Sequence, residues 1–164
     1  MFFPPQTQSG APKAQMPTAA KLVAAILFFL VGYQAARFTL LETFPEAMHG
    51  YMAFPVSIGL IGLWQGWMVS GSRAGQGWRV SAGNGMRCAA QIACLGLLLY
   101  ALRTMFHRAA NLRYDAPWEA MIATFELFIE YFMQTLESPL IWGTLLIGGA
   151  VAGLLTEAAG KLWR

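Results

Sequence analysis

Long stretches without charge alternate along the chain with short ones where charge collects. A helix needs about 20 residues to cross a hydrocarbon core of about 30 Å, and four runs approach or reach that length. The first, 18–36, holds Lys21 near its start and no charge from Leu22 to Ala36. Its span is completed if the Lys21 ammonium snorkels back to the headgroups. The run ends in GYQAARF without a small-x-small cleavage site, so it is predicted to be a retained span rather than a removed signal. The second run, 52–69, lies in a charge-free interval between His49 and Arg73. Trp64 and Trp67 near its far end suit an interface, and Pro55 falls in the first turn, where no N–H partner is needed. The third run, 82–102, contains Arg87 close enough to one end to reach outward. The fourth, 140–159, begins behind Pro139, a helix-starting position, and is uncharged from Ser138 to Thr156.

A fifth stretch, 117–136, has the length of a span but carries Glu119, Glu126 and Glu130. At 100° per residue the three fall on one narrow stripe, which Glu137 continues, and Trp118, Ile122, Phe125, Phe128, Ile129 and Phe132 fill the rest. Each acid at the bilayer centre costs roughly 2.5–3.5 kcal/mol. An amphipathic helix on the outer surface, with its carboxylates in water, is therefore favoured. The alternative is a fifth span with its carboxylates turned into the bundle. The pattern thus predicts an all-α polytopic membrane protein with four transmembrane helices and one interfacial helix, behind a disordered tail over 1–15. The tail contains three prolines and no apolar core.

Composition agrees: 57% of the 164 residues are hydrophobic and 12% charged, about half the charge of a soluble domain. The net charge of +3 is too small to argue for nucleic acid and suits basic loops beside lipid. With the N-terminus inside, Lys13, Lys21, Arg73, Arg79, Arg87, Lys161 and Arg164 fall on the cytoplasmic side. Arg37, Arg103, Arg108 and Arg113 fall outside, and the bias follows the positive-inside rule. Both termini are then cytoplasmic. Cys88 and Cys94 would lie about 9 Å apart along a helix and on different faces, too far for a disulfide. They read as buried small residues.

Candidate chemistry is sparse. Arg73, Arg79 and Arg87 flank SGSRAGQGWRVSAGNG, where guanidinium forks and free backbone N–H groups could hold an anion. The stretch matches no phosphate-binding pattern, and a cytoplasmic turn whose arginines meet lipid phosphates is favoured. Glu126 and Glu130 stand one helical turn apart and could share a metal with His107, but no paired-His motif accompanies them. Solvated carboxylates are favoured. Asn84, Arg87 and Gln91 share one face of the third span, and such a stripe is expected to face protein rather than lipid. Gly62 with Gly66 and Gly149 with Gly153 recur at spacing four, as close-packing faces do, and Gly59, Gly143 and Gly148 add to them. No nucleophile with its base and no nucleotide fingerprint is present, so neither an enzyme nor a cofactor is predicted.

Four segments carry a family resemblance. MPTAAKLVAA (16–25), GLWQGWMVSGSRAGQGW (62–78), RYDAPWEAMIATFELFIEY (113–131) and TLLIGGAVAGLLTEAAGKLW (144–163) resemble the TrgA-type tellurium-resistance membrane proteins. The resemblance extends over nearly all of the chain after Gln15, which leaves Met1 and Met16 as alternative starts. It implies a small bacterial inner-membrane protein with a non-enzymatic role in oxyanion tolerance or envelope function, and it supplies no catalytic residues. Two other roles stay open: a transporter or channel subunit using Arg87, Gln91, Glu126 and Glu130, and an accessory or assembly subunit of a larger membrane complex. The expected partners are the lipid bilayer and either such a complex or further copies of the chain.

Overall fold

The computed structural model describes residues 19–42, 53–73, 75, 77–110 and 116–162. The tail over 1–15 lies outside them. The described chain forms five helices: α1 (Ala19–Glu42), α2 (Ala53–Gln65), α3 (Trp78–Ala110), α4 (Pro117–Leu136) and α5 (Pro139–Leu162). α2 runs on without a break through a π turn, Gly66–Ser70, and a 3-10 turn, Gly71–Arg73. α1, α2 with its extension, α3 and α5 are long and apolar enough to cross a membrane; α4 is not among them. The protein is thus an all-α, multi-pass membrane protein.

Its surface shows why these helices suit lipid. Leu22, Ile26, Leu30, Leu60, Ile147 and Val151 are exposed along the spans, where a soluble protein would carry charge. Hydroxyls within the helices bond back to their own carbonyls: Thr39 to Ala35, Ser57 to Ala53, Thr144 to Leu140 and Thr156 to Ala152. That local bond lets a hydroxyl sit in hydrocarbon without a partner on another helix.

Small residues set the layout. A Cβ on Gly66 would stand 2.5 Å from the Ala24 carbonyl oxygen, and one on Gly32 would stand 2.9 Å from that of Ile58. α1 and α2 therefore touch backbone to backbone. α3 and α5 do the same, through Gly85 against Gly149 and Gly153 against Ser81. Between these pairs lies a core of Phe28, Ile58, Cys88, Ile92, Tyr100 and Leu127.

α4 begins with Pro117 behind an extended Ala116 and folds back along the far end of α3. It buries Thr124, Leu127, Tyr131 and Thr135, one face at helical spacing. Tyr131 packs edge-on against Tyr100 with centroids 4.7 Å apart, and its hydroxyl donates to Thr104 Oγ1 at 3.2 Å. This packing supports the length of α3, which continues well past its apolar run to Ala110. Trp118, Ile122, Phe125 and Ile129 are exposed beside the carboxylates of the same helix. At the turn into α5, the Ser138 hydroxyl donates to the Glu42 carboxylate and ties this end to α1.

Candidate functional site

The best-defined polar site lies at the opposite end, where α2 turns into α3. The turn requires left-handed backbone at Gly75 (φ 95°) and Gly77 (φ 110°), a conformation open to glycine at little cost. So bent, the chain points two backbone N–H groups at one side chain. Gly75 N–H donates to Glu157 Oε2 at 2.6 Å, and Gly77 N–H donates to Oε1 at 3.1 Å. The Ser81 hydroxyl adds a third bond to Oε2 at 2.8 Å. Lys161, one turn further along α5, places its ammonium 3.7 Å from Oε1 and 4.4 Å from the centroid of the Trp78 ring.

Glu157 is fully buried, at 0% exposure. A carboxylate there is tolerated only because donors replace its water. Those donors sit just before and in the first turn of α3, whose positive dipole end favours an anion. The small residues of the helix pair put the carboxylate in reach. Gly153 lies one turn before Glu157, and its contact with Ser81 holds α5 against the start of α3. Gly149, one turn further, meets Gly85 and Ala89. The cluster is saturated: an acceptor-only group with three hydrogen-bond donors and one ammonium. Its chemistry is that of a clasp fastening α5 to the α2–α3 turn.

The residues singled out from the sequence lie elsewhere or play other parts. Arg73 and Arg79 flank the clasp and are exposed. The N–H groups of Gly75 and Gly77, which an anion site would need free, are occupied by Glu157. Asn84 is half-buried, but Arg87 and Gln91 are exposed on the outside of α3, so most of the stripe expected to face protein is not covered by the described residues. Glu119, Glu126 and Glu130 are exposed on α4, and the structure does not bring them together with Arg87 or Gln91. Gly62 and Gly66 meet α1 near Phe28 and Ala24, while Gly149 and Gly153 meet α3. Gly143, counted with the small face of this helix in the sequence, has open space where a Cβ would stand. Cys88 is buried, but Cys94 is exposed, contrary to the expectation for both.

Glu157 was not singled out by sequence reasoning. Standing just after the uncharged interval, it reads as the end of a span. Two signals were available. It precedes Lys161 by four residues, the favourable order for a helical ion pair, and it is an acid inside a Gly/Ala-rich segment at the depth of a Gly-rich turn. Comparison with family models, curated proteins and solved structures finds no match for the chain.

Proposed function

We propose that the protein is a non-enzymatic, multi-pass component of the bacterial inner membrane that supports tolerance to tellurite-type oxyanions. The observation that carries the non-enzymatic part is the saturated clasp. The one fully buried carboxylate among the described residues spends its acceptor capacity on holding α2, α3 and α5 in register. The interior supports it too. The space among Ala36, Thr39, Ile92, Gly96, Thr135 and Leu145 is an apolar cavity of about 50 Å³, and a larger groove of about 500 Å³ among Ile61, Trp64, Met68, Leu95, Leu98 and Leu102 is apolar as well; neither is lined by a charged side chain that would receive an oxyanion. The tolerance part rests on the resemblance to TrgA-type proteins. The cytoplasmic placement of the clasp end rests on Lys21, Arg73, Arg79 and Lys161, which gather there.

Tellurite survival and uptake in a deletion strain and its complemented counterpart test the role. Deletion is expected to lower survival and complementation to restore it; equal survival in both overturns the role. Reporters fused after Tyr114 and after Arg164 test the orientation. The first is expected outside and the second in the cytoplasm, as one crossing by α5 requires. Both on one side would mean that α4 also crosses.

A further inference from the structure

α3 carries a face that the described residues leave uncovered. Gly83, Arg87, Ala90, Gln91 and Cys94 are all exposed, and they recur at spacings of three and four, so they line one side of the helix. A Cβ on Gly83 would find nothing within 4 Å. Neither Arg87 nor Gln91 has a hydrogen bond or ion pair among the described residues. We propose that this face docks a membrane-spanning helix of a different protein, one carrying a carboxylate at the depth of Arg87.

Depth is the first argument. At 1.5 Å per residue, Arg87 lies about 13 Å along α3 from Trp78, and Gln91 about 20 Å. Trp78 stacks with Lys161 at the basic end, where an interface anchor belongs. Ionisable residues inside a membrane ordinarily face a bundle interior. One facing outward indicates a bundle that continues into another molecule.

Chemistry then selects the occupant. A lipid phosphate could satisfy Arg87, whose long side chain reaches back toward the headgroups. It leaves Gln91 unserved, because that shorter side chain sits a turn deeper with two donors and an acceptor in hydrocarbon. A carboxylate on a neighbouring helix accepts the guanidinium fork and an amide N–H together. Gly83 and Ala90 allow such a helix to approach closely. A second copy is a poor occupant. Two-fold pairing through this face sets Arg87 against Arg87. Among the described residues no acid lies at that depth: Glu42, Glu119, Glu126, Glu130 and Glu137 lie on α1, α4 and the α4–α5 turn toward the other end, and Glu157 is engaged in the clasp. The inference does not rest on oxyanion tolerance, and failure of either leaves the other standing.

The test uses the full chain in phosphatidylcholine vesicles with a fluorescent polyleucine transmembrane peptide. The peptide bears a single Glu at the depth of Arg87, and a second version has Leu there. Energy transfer is expected to report association about tenfold tighter for the Glu peptide. Arg87→Leu is expected to erase that difference, and Gln91→Leu to reduce it; both positions are exposed, so the fold should survive, which helicity by circular dichroism checks. Equal association of the two peptides, or an unchanged preference in Arg87→Leu, overturns the proposal. Loss of the preference when anionic phosphatidylglycerol is mixed in also overturns it, since a headgroup phosphate then takes Arg87. A Cys94–Cys94 cross-link between copies as the main oxidation product overturns it in favour of self-association.

Discussion

Replacing Glu157 with alanine is expected to destabilise the folded bundle by about 3 kcal/mol, because buried donors lose their common acceptor at roughly 1–3 kcal/mol each when nothing replaces it. Gly75 and Gly77 are only half-buried, so water recovers part of their loss. Ser81 is 5% exposed and recovers little. The measurement is the unfolding midpoint in mixed micelles titrated with a denaturing detergent. Glu157→Gln is expected to fall between wild type and alanine. Its amide oxygen can still accept from Gly75 and Ser81, but its NH₂ then faces the N–H of Gly77 and the ammonium of Lys161. Lys161→Met should matter least, below about 1 kcal/mol, because its side chain is 44% exposed and such pairs are screened. The order alanine, glutamine, methionine is the signature of a clasp made by hydrogen bonds. A Lys161 variant as damaging as Glu157→Ala would show instead that the ion pair carries it. Protease sensitivity of the α2–α3 turn should rise in the same order.

The parts of this architecture that can be read from the sequence are those written as long repeats. The four spans stand out because each is a sustained apolar run, and the extent of α4 follows from Pro117 and a Glu stripe with helical period. Helix ends are harder to see. α3 continues through Arg103, His107 and Arg108, residues that hydropathy places outside a span, because α4 folds back and packs Leu127 and Tyr131 against it. That support comes from residues well downstream in the chain, and no local window contains it. The clasp escapes for the same reason. A lone Glu near the end of a span and three small residues far upstream form a site only once α3 and α5 are packed. The polar stripe of α3 is readable as a stripe, but its direction depends on which neighbours Gly85 and Ala89 take. They turn toward α5, and Arg87 is left on the outside.

That packing is the source of the second large effect. Gly153→Leu is expected to destabilise the bundle by about 3 kcal/mol or more, since overpacking costs 1–3 kcal/mol even where side chains can move aside. Here the obstacle is backbone: a Cβ on Gly153 runs into the Ser81 carbonyl and lies 3.1 Å from the Gly85 Cα. Gly149→Leu meets the Ala89 Cβ at 2.6 Å and the Gly85 carbonyl oxygen at 2.9 Å, and should behave alike. α5 can relieve either clash only by moving off α3, and that motion draws Glu157 away from Gly75, Gly77 and Ser81. The glycine variants should therefore expose the α2–α3 turn to protease although they leave every donor and acceptor of the clasp in the sequence. Gly83→Ala and Gly143→Ala are the controls. Nothing lies within 4 Å of a Cβ at either position, so the better helix former should leave stability unchanged or raise it by up to about 1 kcal/mol. Adding Glu157→Ala to Gly153→Leu then decides how the two are linked. If the glycine contact positions the carboxylate, the double variant loses markedly less than the sum of the two single losses. Simple additivity would mean that the clasp and the helix contact hold the bundle independently.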